Sequence, residues 1–284
     1  MKIGVALPHY GTPDKDPVLQ YVVDIARECE RLGFDSVWVS DHIVFDLSKY
    51  GGSSDPIGSL EPLETLAVLA NATSRVRLGT MVLCNEFRHP VQLARSAAAI
   101  DLASHGRLEL GIGAGWYEEE FDGAGIEFPP PGVRLEKLGE TVEVLKAAFT
   151  GEPVTYAGKH YKVTDLVVRP RPAQDPRPTI WLGGKGDRAV RLAARVGDGW
   201  NAAWFSDPAA YQQRAALLGD SGVRRSIGQY AHGSAEEMVD RLATFAALGV
   251  EHTVMCFSTV PFGLDDVDDV ARFAQDVLTY VHDL

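Results

Sequence analysis

Asp41 and His42 stand side by side directly after the apolar run Ser36 to Ser40, SVWVS. An imidazole beside a carboxylate is equipment for moving a proton near neutral pH, with the carboxylate orienting the ring. The alternative gives Asp41 to a backbone cap and packs His42 against the loop that follows. Two glycine clusters point to a different chemistry. Gly111-Ile112-Gly113-Ala114-Gly115-Trp116 closes a strand-like run, and bare backbone there lets a planar ligand or a phosphate come close. The spacing is not the dinucleotide fingerprint G-x-G-x-x-G, and a tight strand-to-loop turn also accounts for it. Leu182-Gly183-Gly184-Lys185-Gly186-Asp187 leads from a strand into a helix. Successive glycine amides at a helix start make a phosphate site to which Lys185 adds a cation, while a plain connection is the alternative.

Thr80-Met81-Val82-Leu83-Cys84-Asn85 ends another strand, so its side chains flank whatever lies above. Cys84 reads as a small core residue because no base is paired with it in the sequence. There is no HExxH, P-loop or G-x-S-x-G motif and no metal-spaced His/Asp cluster, so no metal is expected.

The elements that would position these groups alternate in period. Short apolar runs at 2–7, 36–40, 76–83, 107–112, 179–182, 199–203, 224–229 and 252–257 read as strands. Between and after them, three- and four-residue spacing predicts helices from Asp16 to Gly33 and at 61–73, 90–103, 135–149, 188–196, 208–218, 235–248 and 266–280. Eight strands alternating with eight helices predict an α/β (β/α)8 TIM barrel over residues 1–284 as one domain, with an open doubly wound sheet as the alternative. Long connections follow strand two (43–60) and strand four (114–133), on the face where barrels carry active sites. A third insertion, 151–178, lies between helix four and strand five and contains a hairpin, PVTYAGKHYKV.

The 284 residues are 45% hydrophobic and 23% charged, with a net charge of −12 and three cysteines. No run is long enough to span a membrane, and the amino terminus lacks the layout of a signal peptide, which predicts a cytosolic chain. The acidic balance argues against nucleic acid as a partner. It hides an exception: from Lys159 to Arg195 nine cations stand against three acids. Most of these belong to a solvated face, and the sharper reading is that a few attract an extended polyanion near Gly183 to Gly186.

The set SVWVSDH, VRLGTMVLCNEFRHP, GRLELGIGAGWYEEEF, PTIWLGGKG and ARVGDGWN resembles the bacterial luciferase-like monooxygenase superfamily, within it the actinobacterial coenzyme F420-dependent oxidoreductases. The resemblance runs through nearly the whole chain. It implies a TIM barrel, usually a homodimer, that holds a flavin or deazaflavin at its mouth and acts on a small molecule. By the same resemblance Asp41 and His42 lie beside the ring, and Thr80, Met81 and Val82 form a bulge behind it, with a cis Met81–Val82 peptide. Gly113, Ala114 and Gly115 edge the cofactor site, and Gly183, Gly184, Lys185 and Gly186 hold the phosphate. His9 and Trp116 are expected in the substrate pocket. The sugar-phosphate branch has a Glu where this chain has Trp116, which speaks against glucose 6-phosphate. The stretch LGDSGVRRSIG is shorter than usual, which opens that side of the mouth. The leading expectation is hydride exchange between F420 and a small organic substrate, with His42 moving the proton. The alternatives are an FMN-dependent monooxygenase and a non-catalytic flavin- or F420-binding protein.

Overall fold

In the computed structural model, which describes residues 1–11, 15–50, 54–282 and 284, eight parallel strands close on themselves. They are β1 (Lys2–Ala6), β2 (Ser36–Val39), β3 (Arg77–Thr80), β4 (Leu108–Gly113), β5 (Thr179–Gly183), β6 (Gly199–Trp204), β7 (Arg224–Tyr230) and β8 (His252–Cys256). Each pairs with the next, and β8 pairs with β1, so no edge is left open. Helices α1 (Leu19–Leu32), α2 (Pro62–Ala72), α3 (Pro90–Ala103), α4 (Glu118–Ala124), α5 (Pro131–Ala148), α6 (Asp187–Val196), α7 (Pro208–Ala215), α8 (Ala235–Ala247) and α9 (Val267–Phe273) complete the (β/α)8 barrel.

The sequence explains why these strands read as continuous apolar runs. β2 and β4 are buried at every residue, one face against the helices and the other inside the barrel. The interior is filled by Trp38 and Trp181, both about 1% exposed. Glycines on neighbouring strands make room: a Cβ on Gly79 would lie 2.2 Å from Trp38, and one on Gly199 would lie 2.1 Å from Trp181. Each indole N–H has a partner, Trp38 donating to Ser36 Oγ at 2.8 Å and Trp181 to Glu109 Oε2 at 2.7 Å.

Several boundaries differ from expectation, each for a local reason. Helix one begins at Leu19 rather than Asp16, after an extended N-cap at Val18, and α5 begins at Pro131 rather than Leu135, since proline suits a first helical turn. α4 lies inside the connection after β4, where three consecutive glutamates look like a solvated loop. Strand three stops at Thr80. The chain breaks at Met81–Val82, whose peptide is cis, and Leu83–Cys84 then pairs again with β4. The hairpin pairs Pro153–Ala157 with Lys162–Val167. Residues 51–53 of the connection after β2 lie outside the described residues. No helix among the described residues is long and apolar enough to cross a membrane.

Two buried histidines couple this fold to pH. Burial lowers the pKa of His9 to about 4, against hydrogen bonds to Leu7 and Ser40 that raise it. Burial likewise lowers His252 to about 3, between Ser36 and Ser226. The unfolded chain binds these protons near pH 6.5 and the folded chain only well below it, so acid favours unfolding. Stability is therefore expected to fall as pH drops from 6.5 towards 3, by on the order of 3 kcal/mol per histidine. Chemical denaturation at a series of pH values checks this: His9→Asn should flatten the slope, and an unchanged slope would dismiss the effect.

Candidate active site

A cavity of about 340 Å³ opens at the carboxyl ends of the strands. The elements that position its side chains are the ends of β2 to β6, α4 and the start of α5. All the site residues expected from sequence line it except His9 and Thr80.

His42 lies in the cavity wall. Its Nδ1 lies 3.0 Å from Glu120 Oε1, and the other oxygen of Glu120 accepts the Ile43 N–H at 2.9 Å. Glu120, on α4, is 2% exposed. A carboxylate that accepts from Nδ1–H fixes the tautomer, leaving Nε2 as the ring position able to take up a proton. Nε2 has no protein partner among the described residues. The ring stacks on Phe45 at 4.4 Å between centroids and meets Trp116 edge-on at 5.7 Å. With Tyr10 and Tyr50 these rings give the cavity an aromatic wall.

The role expected of Asp41 needs correction. Its carboxylate does not touch His42: it accepts the Cys84 N–H at 2.8 Å and faces Arg88 at 2.5 Å and 3.2 Å. Burial works against charge on both partners. For Arg88 the flanking Asp41 and Glu61 carboxylates outweigh it and raise the pKa. Asp41 thus ties the end of β2 to the bulge after β3. The orienting carboxylate is Glu120, which the sequence conceals in Glu118-Glu119-Glu120; the available signal is that Glu120 falls beside buried Phe121 and three residues after buried Tyr117.

His9 is not a pocket residue. It is fully buried, with Nδ1 on Leu7 O at 2.9 Å and Nε2 accepting the Ser40 N–H at 3.1 Å, so it pins β1 to β2 behind the cavity. Tyr10, its neighbour, occupies the wall instead, hydrogen-bonded to Ser40 Oγ at 2.5 Å. Thr80 is also fully buried, and its hydroxyl donates to Gly111 O at 2.8 Å. Cys84 reaches the lining, and burial pushes its thiol up, which disfavours the thiolate a nucleophile needs.

The glycines of β4 and β5 have a reason beyond ligand approach. A Cβ on Gly111 would lie 2.0 Å from Thr80 O, and one on Gly113 or Gly183 would lie 2.7 or 2.8 Å from Val82 Cγ2. They admit the bulge, which in turn presents Met81 and Val82 to the cavity. On the same cavity, α6 begins after its N-cap Gly186, with no side chain capping its first amides. Those amides, next to Gly184 and Lys185, are suited to an anion. Partial burial lowers the Lys185 pKa, and its ammonium donates to Trp204 O. The other lining cation, Arg134, donates to Ala114 O and Pro129 O and lies 3.8 Å over Phe128. Among the described residues no cluster of three or more His, Cys, Asp or Glu could hold a metal ion.

A family model described as luciferase-like monooxygenase matches residues 1–219. The F420-dependent glucose-6-phosphate dehydrogenase of Microbacterium testaceum is 32% identical over 206 residues, 72% of this chain; the chain covers 59% of that relative's length. An uncharacterized protein of Mycobacterium tuberculosis is 30% identical over 275 residues, covering 91% of this chain and 90% of that one. A solved F420-dependent secondary alcohol dehydrogenase, in complex with an F420–acetone adduct, superposes with a TM-score of 0.79 over 98% of both chains at 19% identity, which shows a common fold. By the matched sequence, and with a barrel to carry it, the chain belongs to the luciferase-like monooxygenase family.

Proposed function

We propose that this protein is an F420-dependent oxidoreductase that exchanges a hydride between the deazaflavin and a small, uncharged, largely apolar substrate. The observation that carries the reading is the His42–Glu120 pair, set among aromatic rings in one cavity with an uncapped glycine turn. Relatives named as F420-dependent dehydrogenases support the choice of cofactor. The residues fit such a group: the Gly183–Gly186 turn and the first amides of α6 would hold a phosphate, and Met81 and Val82 would back a planar ring.

When bound, F420 supplies the hydride chemistry at its C5. The protein's own residues do the rest. His42 Nε2 takes or gives the proton that accompanies the hydride, and Glu120 keeps the ring in the required tautomer. Tyr10, Phe45, Tyr50 and Trp116 exclude water from the reacting side. Asp41 and Arg88, engaged with each other, hold the backbone on which the bulge rests. A homodimer and a cytosolic setting belong to the same reading.

The cavity also speaks on substrate class. Both lining cations, Lys185 and Arg134, already donate to backbone carbonyls, and no further Lys or Arg among the described residues lines the cavity for a second phosphate. Anaerobic assays with F420 should therefore show turnover of neutral secondary alcohols or ketones and none of glucose 6-phosphate. Turnover of the sugar phosphate would overturn the substrate class. Tight cofactor binding without turnover on the whole panel would support a binding protein instead.

A further inference from the structure

Helix α6 carries Arg188, Arg191 and Arg195 on one face, all exposed. Among the described residues none of the three has a carboxylate within ion-pair distance. They line a groove of about 270 Å³ against α5. On that helix Gly132 and Gly139 lie beneath the guanidinium groups. A Cβ on Gly132 would be 3.1 Å from Arg188 Nη2, and one on Gly139 would be 3.7 Å from Arg195 Nη2. Glycine inside a helix costs about 1 kcal/mol relative to alanine, and here it lets unpaired cations lie along the groove floor. The groove's own acid, Glu136, is already held by Lys159 at 2.7 Å and His160 at 2.9 Å. Leu135 lines both this groove and the main cavity, so the groove starts at the cavity rim, beside the turn that opens α6.

We propose that this groove is a binding site for an acidic tail, a short chain of carboxylates attached to the phosphate-bearing ligand of the main cavity. The proposal rests on reading the Gly183–Gly186 turn as the phosphate site. Seven residues of helix span about 10 Å, the reach of about three extended residues. Guanidinium groups suit this ligand because each can grip a carboxylate with two parallel hydrogen bonds. A chain of net charge −12 repels a polyanion on average, so a local cationic face is needed to hold one. Of the six other cations in that segment, Lys159 is paired with Glu136, Arg177 with Asp198, and Lys185 donates to the Trp204 carbonyl.

The test is a fluorescence titration of wild type and R188A/R191A/R195A with F420 preparations bearing long and short glutamate tails, at low and high salt. The long-tailed form should bind wild type at least about 10-fold more tightly at low salt, with the advantage shrinking as salt screens exposed charges. The triple variant should lose that advantage and keep its affinity for the short-tailed form. Equal affinity for the two forms in wild type, or an advantage that survives in the variant, overturns the proposal. If neither form binds, the cofactor reading fails, and the groove is judged by a pentaglutamate peptide alone. Binding to wild type but not to the variant supports the site, and binding to neither protein overturns it.

Discussion

Replacing His42 with asparagine should lower kcat by about 10²–10⁴-fold, the share a positioned acid–base group contributes, and leave F420 affinity within about twofold. That loss corresponds to about 3–5 kcal/mol of transition-state stabilisation. The ring is held from one side by Phe45 and from Nδ1 by Glu120, so Nε2 is the atom available to a substrate. Glu120→Gln keeps the volume and removes the charge; it should cost about 10–100-fold in kcat, as loss of an orienting partner does. Because Glu120 acts through His42, the double variant should be slower than His42→Asn alone by no more than about threefold. A purely structural Glu120 would behave otherwise, lowering Tm and F420 affinity and adding its loss to that of His42. Full turnover by His42→Asn would remove the residue from the mechanism.

The second large effect falls on stability. Alanine at Gly111 places a Cβ 2.0 Å from the Thr80 carbonyl oxygen, a backbone atom held in the barrel wall, and should destabilise the fold by about 3 kcal/mol or more. Gly113→Ala meets Val82 Cγ2, a side chain, and should cost about 1–3 kcal/mol together with weaker F420 binding as the bulge shifts. These two variants make distinct predictions for a suppressor. Val82→Ala removes the atoms that obstruct Gly113→Ala and should recover most of its Tm. It leaves the Thr80 carbonyl in place and should not rescue Gly111→Ala. Gly123→Ala is the control: it lies within α4 with nothing near its Cβ, and should stabilise by about 0.5–1 kcal/mol. Thermal denaturation of wild type and the five variants decides. A Gly111→Ala variant as stable as wild type would show that the wall yields.

The barrel was legible because buried parallel strands announce themselves as short apolar runs between helical periods, as in β2 and β4. The site was legible in part. Glycine turns and an Asp-His pair at strand ends can be read along the chain, and those residues do reach one cavity. What could not be read is which partner each would find. Asp41 meets Arg88, 47 residues away, and His42 meets Glu120, 78 residues away, and neither distance leaves a periodic trace. His9 is expected in the pocket and Tyr10 lines it instead, because beyond the end of β1 at Ala6 the backbone turns one neighbour into the core and the other to the wall. The purpose of Gly111 and Gly113 was hidden for a similar reason: the atoms they avoid belong to a break in β3 that sits inside an unbroken apolar run, TMVL.

The most direct measurement of the central claim is an anaerobic titration of the purified protein with F420 and, separately, with FMN, followed by the fluorescence of each cofactor. Saturable quenching of F420 in the micromolar range, with no saturation by FMN over the same range, is the expected result. Tight binding of FMN without F420, joined to product that forms only when oxygen is admitted, would contradict it.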